Sequence, residues 1–453
     1  MRVSLEYRRR LNRQMGHIHR FLCRQIHEIR LSNPDVLKQK FKTAFLFYLP
    51  NVLRRILLLP WALFGVLVIR CIRPFLRIRI SPINATRIGH LILDTEMMLT
   101  EDKFLERKRA RPTVDLWYVW KGRLGVSNKF VLDVWKRQLH VLPSFLLEPV
   151  DSLNRLLPGG DSNIFPYRKG VPDQMGQHHD IFGARRAITP HFRLSSADIE
   201  AGTKAAETLG IAPTDKLVCL QVRDSAYLRQ QTGRDWFDDP GRNAQIDSYV
   251  PAAKLLTEKG IKLVRMGVVA EQKLVGPWSD DMVLDLPFSS RRSELLDIYL
   301  GSRCDFFVTT GSGIDAVAHA LRVPLVTTNI SNFERDLFLT HDSITIFRRP
   351  VELETGRLVS LTEFFETGDF RKPAEQLQGE GIGFIENSSS EILDVISEAA
   401  EAEREGFDEY LGRIKELELQ REALDIFPAW FKCGGVKGII SPSFLKRHPY
   451  LLN

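Results

Sequence analysis

The chain has 453 residues, of which 44% are apolar and 26% are charged, values typical of a globular protein of two or three domains. The net charge of +7 is unevenly placed, because residues 1–80 contain 17 Lys and Arg but only three acidic residues, which leaves the remainder with a net charge of −7. A mildly acidic body argues against nucleic acid as a partner. The five cysteines are odd in number and widely spaced, which excludes a zinc motif and favours a reducing cytoplasm.

The basic N-terminal segment is also the most apolar part of the chain. Residues 56–69 form a run of 14 residues without a charge, whereas a membrane-spanning helix needs about 20 apolar residues. We therefore expect residues 1–78 to form helices that associate with an anionic membrane surface, with Arg70, Arg73, Arg77 and Arg79 on the headgroups. This places the protein on the cytoplasmic face of an inner membrane, as a peripheral or monotopic protein. The alternative is a buried helical hairpin of a soluble domain.

Residues 79–205 are predicted to form a smaller N-terminal α/β domain. Its expected strands are residues 79–82, 114–119 and 139–142. Gly89 lies at a turn before a helical pattern, where a glycine would let a ligand approach the backbone. His90, Asp94 and Glu96 follow this turn, and at helical spacing they cannot all face one cleft.

One long loop of this domain is predicted to be functional. Residues 161–180 are too long for a plain connection. The loop ends in His178, His179 and Asp180, which lack the i, i+4 spacing of a helical metal site. A metal site is therefore not expected there.

Residues 206–385 show apolar runs that alternate with helical patterns. The expected strands are residues 216–222, 261–265 and 282–286, followed by residues 305–329, which read as strand, turn, helix and strand. Ser293 is the predicted cap of the helix that precedes the fourth strand. Alternation of this kind predicts a parallel sheet with right-handed crossovers, which is typical of a nucleotide-binding domain.

The turn formed by Gly311, Ser312 and Gly313 follows a buried strand and opens a helix. Backbone N–H groups at such a turn suit a phosphate. With Ala316 the turn also satisfies the dinucleotide fingerprint, but residues 327–329 are Thr-Thr-Asn, where that fingerprint needs an acidic residue. A nicotinamide or flavin cofactor is therefore disfavoured. The alternative is that the glycines only permit tight packing.

Basic residues follow two neighbouring strands. Arg223 and Arg265 lie at predicted carboxyl ends, Gly267 comes just after the second strand, and Arg242 and Asn243 lie in the intervening loop. Ligands bind at that edge of open α/β sheets, and the planar guanidinium group of arginine suits phosphate. Either strand-end arginine could instead pair with Asp224 or Asp235.

Residues 386–453 are rich in Glu, Ala, Leu and Ile at helical spacing. We expect them to form helices with an acidic solvated face. The apolar and basic tail suits a segment that packs back on the body.

From about residue 80 onward the chain resembles a family of bacterial glycosyltransferases of the cell-surface polysaccharide type. The matching stretches include RIGHLILDTEM, VCLQVRDSAYL, DFFVTTGSGIDAVAHALRVPLVTTN and ITIFRRPVELETGRLVSLTEFFETG. The resemblance implies a GT-B-like fold, in which two Rossmann-like α/β domains face a cleft. Residues 79–205 would then bind the acceptor and residues 206–385 the nucleotide-sugar.

The resemblance also implies an activity. The expected enzyme transfers a hexosyl or deoxyhexosyl group from a nucleotide-sugar to a glycan or lipid-linked acceptor in cell-envelope polysaccharide synthesis. The reaction would need no metal and no cofactor besides the donor substrate. It would invert the configuration of the anomeric carbon. The general base would be His90 or, second, Glu96. The expected donor-binding residues are Arg223, Arg242, Asn243, Arg265, Gly267, Gly311, Ser312 and Gly313.

Two other functions fit the same sequence. One is a non-catalytic module that binds sugar nucleotides or polysaccharide. The other is a different sugar-nucleotide enzyme, such as an epimerase. A P-loop ATPase is disfavoured because the sequence G-x-x-x-x-G-K-[ST] does not occur.

Overall fold

The computed structural model describes residues 49–105, 112–122, 125–165, 180–232, 241–333, 341–372 and 374–452. The chain forms two compact units. The smaller unit comprises residues 1–82, 108–119 and 139–167, and the larger comprises residues 83–107, 120–138 and 168–453. Most of the predicted loop at residues 161–180, including His178 and His179, lies outside the described residues, as do residues 1–48.

Helices and strands alternate along most of the chain. The helices are α1 (Leu49–Leu57), α2 (Leu59–Ile72), α3 (Thr95–Phe104), α4 (Lys129–Gln138), α5 (Ser144–Leu156), α6 (Ala184–Ala187), α7 (Ser196–Glu207), α8 (Ala226–Thr232), α9 (Val250–Glu258), α10 (Glu294–Arg303), α11 (Ala316–Leu321), α12 (Leu361–Glu366), α13 (Ala374–Gly379), α14 (Ser389–Glu405), α15 (Phe407–Lys415), α16 (Glu418–Ile426) and α17 (Pro442–Arg447). The strands are β1 (Arg77–Asn84), β2 (Thr113–Trp120), β3 (Leu217–Gln221), β4 (Lys262–Arg265), β5 (Val283–Asp285), β6 (Phe306–Thr309), β7 (Leu325–Ile330), β8 (Ser343–Phe347), β9 (Arg349–Glu352), β10 (Ile382–Ile385) and β11 (Ile439–Ile440).

The smaller unit is built on a pair of helices and the two-stranded sheet β1–β2. Ala62, Val66 and Ile69 of α2 are buried, and a Cβ added at Gly65 would lie 2.4 Å from Val150 of α5. Glycine at this position therefore allows α2 and α5 to pack closely. Among the helices that the structure describes, none is both long and apolar enough to cross a membrane.

Residues 139–142 were predicted as a strand, and this prediction was wrong. The stretch makes one isolated bridge, between Val141 and Trp117. Pro143 follows directly and precedes α5. Because proline lacks an N–H group to donate to a neighbouring strand, the pairing ends there.

The larger unit contains a seven-stranded sheet in the order β11-β8-β7-β6-β3-β4-β5. Every neighbouring pair in this sheet is parallel. Residues 325–330 of β7 are all buried, as are residues 306–309 of β6. Strands covered on both faces read as continuous apolar runs, which is why the parallel sheet was predicted correctly. A second large sheet is not found among the described residues, and the arrangement of two Rossmann-like domains around a cleft stays a prediction.

The boundaries of the two units differ from the predicted domain limits. Residues 83–107 and 120–138, which the sequence places in an N-terminal domain, lie in the larger unit. Trp135 of α4 donates a hydrogen bond to the carbonyl of Leu91, 2.8 Å away. The segment that carries His90 and Glu96 is thus built into the same unit as the parallel sheet.

The residues after 386 complete the core of the larger unit. Helix α14 buries Ile392, Val395 and Ile396 in a cluster shared with the strands β7 and β8. Phe444 of α17 lies 5.1 Å from Phe347, measured between ring centroids. These helices therefore pack on the sheet through their apolar sides.

Helix α14 begins at a capping box, which allows a test of the fold. The Ser388 side chain accepts a hydrogen bond from the Glu391 N–H group, and the Glu391 carboxylate accepts one from the Ser388 N–H group. We expect Ser388→Ala to lower the free energy of unfolding by about 1 kcal/mol, measured by urea denaturation. Ser389→Ala, one residue on, is the matched control and should change it by less than about 0.5 kcal/mol. Equal effects of the two substitutions would contradict the capping role.

Candidate functional site

The order of strands reverses next to β3. From β3 the chain moves through β4 to β5 on one side, and then through β6, β7 and β8 on the other. The carboxyl ends of β3 and β6 meet at this point, where the Arg223 N–H group donates to the Thr310 hydroxyl over 3.0 Å. Such a switch point is where open α/β sheets bind ligands.

The turn after β6 is held by its own side chains. The N–H group of Gly311 donates to the Thr309 hydroxyl over 3.0 Å, and that of Ser312 donates to the Asp315 carboxylate over 2.9 Å. Gly311 has a φ of +78°, a conformation that favours glycine. Two of the N–H groups expected to bind phosphate are thus already bonded within the turn.

The glycines of two segments face each other at this turn. A Cβ added at Gly89 would lie 3.1 Å from the Gly313 Cα, and one added at Gly313 would lie 3.2 Å from the Gly89 nitrogen. The absence of side chains therefore permits these two backbone segments to approach. The sequence predicted that each glycine makes room for a ligand, whereas the structure brings the two glycines together.

His90 follows Gly89 in a π-helical turn, His90–Asp94, that leads into α3. This turn brings the His90 Nδ1 atom to 2.8 Å from an Asp94 carboxylate oxygen, and the His90 side chain stays 44% exposed. The hydrogen bond to Asp94 raises the pKa of His90, although partial burial lowers it. If Nδ1 donates to Asp94, the Nε2 atom is left to accept a proton.

Glu96 lies in a different environment. Its side chain is fully buried, and one carboxylate oxygen accepts from the N–H groups of His191 and Phe192 at 3.0 and 2.9 Å. The other oxygen is 3.2 Å from the Arg322 guanidinium group and 3.0 Å from the Thr100 hydroxyl. Both oxygens are thus engaged in holding segments together, which favours a structural role over that of the base.

Arg265 is also buried and paired. Its side chain is 2% exposed and lies 3.3 Å from an Asp285 oxygen and 3.8 Å from an Asp224 oxygen. It also donates to the Gln272 carbonyl. Pairing with Asp224 is one of the alternatives that the sequence left open, whereas the closer partner, Asp285, was not expected. The other alternative, Asp235, lies outside the described residues. A cavity of about 150 Å³ adjoins this network.

The other predicted donor residues are distributed around the switch point. Arg242 donates to the Gly311 carbonyl, and the Asn243 carbonyl accepts from Arg348. Asn243 also lines the cavity beside Arg265. Gly267 has a φ of +137°, and an added Cβ would contact Pro287 at 3.4 Å. Two of the predicted arginines therefore contact the turn after β6. Arg223 contacts Thr310 through its backbone N–H group, and Arg242 contacts Gly311 through its side chain.

Sequence reasoning missed a buried cluster next to Glu96. The Nδ1 atoms of His319 and His341 are 2.7 Å apart, and Arg185 donates to His341. Burial lowers the pKa of Arg185 to about 9. These residues come from distant parts of the sequence, and His319 lies in an apolar helix that reads as core. Among the described residues, no group of three or more His, Cys, Asp or Glu is placed to hold a metal ion.

No protein-family model and no curated protein matches this sequence, so the sequence family inferred above stays a prediction. The chain is similar to the structure of E. coli ADP-heptose LPS heptosyltransferase II, at 12% identity over 60% of this chain and 90% of that chain, with a TM-score of 0.36. It is similar to a family 9 glycosyl transferase from Veillonella parvula, at 10% identity over 60% and 86%, with a TM-score of 0.36. A third similar structure is an iron-containing dodecameric glycosyltransferase from enterotoxigenic E. coli, at 14% identity over 58% and 62%, with a TM-score of 0.30. All three are glycosyltransferases, but TM-scores this low support no conclusion about the present chain.

Proposed function

We propose that the protein is a glycosyltransferase that moves a sugar from a nucleotide-sugar donor to a glycan or lipid-linked acceptor. The observation that carries this proposal is the position of His90, which directly follows the glycine packed against the turn after β6 at the switch point of the sheet. A half-exposed histidine oriented by a carboxylate is suited to act as a general base. The sequence resemblance supplies the reaction class.

The proposed chemistry is a single displacement. The Nε2 atom of His90 takes the proton of an acceptor hydroxyl, and the freed oxygen attacks the anomeric carbon of the donor. The bond from that carbon to the diphosphate oxygen breaks, and the diphosphate leaves with the electron pair. One such displacement inverts the anomeric configuration. Asp94 holds the imidazole ring and stabilises its charged form.

The leaving group acquires negative charge as it departs. Arg223 and Arg242 lie near the turn after β6, where positive groups would stabilise that charge. Arg265 contributes less directly in this proposal, because it is already paired with Asp224 and Asp285. Glu96 is assigned to holding α3 in place.

The experiment that tests the proposal is a donor panel. Purified full-length protein is incubated with UDP-, GDP-, CMP- and ADP-sugars, and donor hydrolysis is measured alongside a thermal-shift screen with the same compounds. A ligand that binds the folded state raises its apparent stability. We expect one nucleotide class both to stabilise the protein and to be hydrolysed slowly. Stabilisation without turnover would favour the binding module, and an isomerised sugar nucleotide would favour an epimerase.

We expect the activity to be independent of added metal. The proposed mechanism places arginine side chains, rather than a divalent cation, on the leaving diphosphate. Transfer measured after treatment with EDTA should therefore equal that of untreated enzyme. Loss of activity on chelation, restored by Mg²⁺ or Mn²⁺ but not by Na⁺, would contradict this part of the proposal.

A further inference from the structure

Helices α1 and α2 present a large apolar surface. Seven side chains of these helices and of the turn that follows α2 are each more than half exposed: Leu53, Ile56, Leu57, Leu63, Phe64, Leu67 and Phe75. We call this set the helical apolar surface. Single exposed apolar residues are ordinary on soluble proteins, but a contiguous stretch rich in them marks an interaction site.

The opposite side of α2 fixes the orientation of this surface. Ala62, Val66 and Ile69 are buried and belong to the side of α2 that packs against α5 of the same unit. The Trp61 ring donates a hydrogen bond to the Leu146 carbonyl over 2.8 Å. Because these contacts hold one side of α2 against α5, rotating the helix to bury the helical apolar surface would break them.

The charged residues of the segment that carries this surface are all basic. Residues 49–80 contain six arginines and no Asp or Glu. The expectation that Arg79 contacts headgroups was wrong, because its side chain is buried and paired with Asp115. Three others donate hydrogen bonds within the protein: Arg70 to Asn154, Arg73 to the Gly159 carbonyl and Arg77 to the Ser162 carbonyl. Arg54 and Arg55 are 45% and 68% exposed, and the Glu148 carboxylate lies 3.8 and 3.9 Å from them. Exposed arginines beside exposed leucines and phenylalanines are complementary to a lipid bilayer with acidic headgroups, which has an apolar interior and an anionic surface.

We propose that the helical apolar surface lies in the interfacial region of an anionic lipid bilayer. Leu57 and Phe64 reach the acyl chains, while Arg54 and Arg55 contact headgroup phosphates. In this proposal both helices lie in the plane of the bilayer interface, the arrangement typical of a segment with an exposed apolar side and basic residues beside it. This inference goes beyond the proposed glycosyl transfer and does not depend on it, since it concerns a surface of the smaller unit.

Vesicle flotation of the full-length protein tests the proposal. Vesicles of phosphatidylcholine alone are compared with vesicles that also contain phosphatidylglycerol, without any sugar nucleotide. We expect the protein to float with the anionic vesicles at low salt and to be released only partly at high salt. Screening weakens the charge contribution and leaves the apolar burial in place. Protein that stays at the bottom of the gradient with anionic vesicles at low salt would overturn the proposal.

Matched variants separate the apolar and the charged contributions. Leu57→Glu combined with Phe64→Glu should weaken partitioning at least about tenfold. The control combines Val275→Glu with Leu353→Glu in the larger unit, where the replaced side chains are 72% and 53% exposed; it should float like the wild type. Arg54→Gln combined with Arg55→Gln should reduce the preference for phosphatidylglycerol. Equal loss in the control, or none in the first variant, would overturn the assignment of the surface.

A spectroscopic measurement does not depend on these variants folding. Trp61 is 40% exposed, and indole rings favour the bilayer interface. Brominated lipids should quench the fluorescence of the wild type more than that of Trp61→Phe, with both proteins bound to vesicles. Light scattering without vesicles tests whether something else covers the surface. A stable dimer would indicate that a second copy covers it. A monomer that does not bind vesicles would indicate that residues 1–48 cover it, and either result would overturn the proposal.

Discussion

Replacing His90 with glutamine should lower the turnover number by about 10²–10⁴-fold, the contribution expected of a general base. Glutamine keeps a polar side chain of similar length but cannot take a proton from the acceptor. Since the His90 side chain is 44% exposed, the substitution should leave the free energy of unfolding nearly unchanged. The measurement is the initial rate of transfer with the donor identified by the panel, together with a urea denaturation curve.

The pH dependence gives a second measurement on the same pair. His90 must be neutral to act as a base, so the rate should fall as the pH drops through its pKa. Asp94 raises that pKa through the hydrogen bond to Nδ1, so Asp94→Asn should move the acidic limb of the pH–rate profile to lower pH and also reduce the maximal rate. His140→Gln, at an exposed position of the smaller unit, is the control. An unchanged acidic limb in Asp94→Asn would remove His90 from the role of base.

Replacing Glu96 with alanine should lower the free energy of unfolding by about 3–5 kcal/mol, the usual cost of removing one partner of a buried ion pair. The loss would leave the N–H groups of His191 and Phe192 without this acceptor, and the Arg322 guanidinium group would lose its carboxylate partner and keep only the His319 and Ala320 carbonyls. Arg322 has a φ of +66° at the end of α11, a conformation that its neighbours must maintain. Urea denaturation of the full-length protein measures the change.

Glu375→Ala is the matched control for Glu96. Both glutamates lie in the first turn of a helix, but Glu375 is exposed, so its loss should cost less than about 0.5 kcal/mol. Glu96→Gln keeps one acceptor oxygen and should have an intermediate effect on stability. If Glu96→Gln folded with wild-type stability yet lost transfer, Glu96 would be the base and the present assignment would be reversed.

The parallel sheet could be predicted from sequence because its strands are buried on both faces. Residues 217–221 and 325–330 are nearly unbroken apolar or β-branched runs, and turn residues bound them. The cap at Ser293 was also predicted, and its hydroxyl accepts from the Leu296 N–H group over 3.1 Å. Patterns of this kind involve residues that are close in the sequence, so they can be recognised without knowledge of tertiary contacts.

The candidate site was harder to predict because its contacts join distant segments. Nothing near Gly313 in the sequence indicates that its neighbour in space is Gly89. Glu96 reads as a helix-start carboxylate, and only the positions of Arg322 and residues 191–192 show that both of its oxygens are engaged. A titratable residue can be located from sequence, but whether it is free to take up a proton depends on partners that sequence spacing does not indicate.

The edge of the seven-stranded sheet has a consequence for synthesis of the protein. Strand β11 pairs with β8 through Ile439 and Ile440, and the Ser441 N–H group donates to the Thr345 carbonyl over 3.0 Å. Until the ribosome has made the helices between β8 and β11, the backbone groups on one side of β8 have no strand to pair with. Unpaired strand edges promote aggregation with other chains. The larger unit is therefore prone to aggregation during synthesis until residues 439–441 have emerged from the ribosome. A chain that stalls or is truncated before these residues would keep the exposed edge of β8.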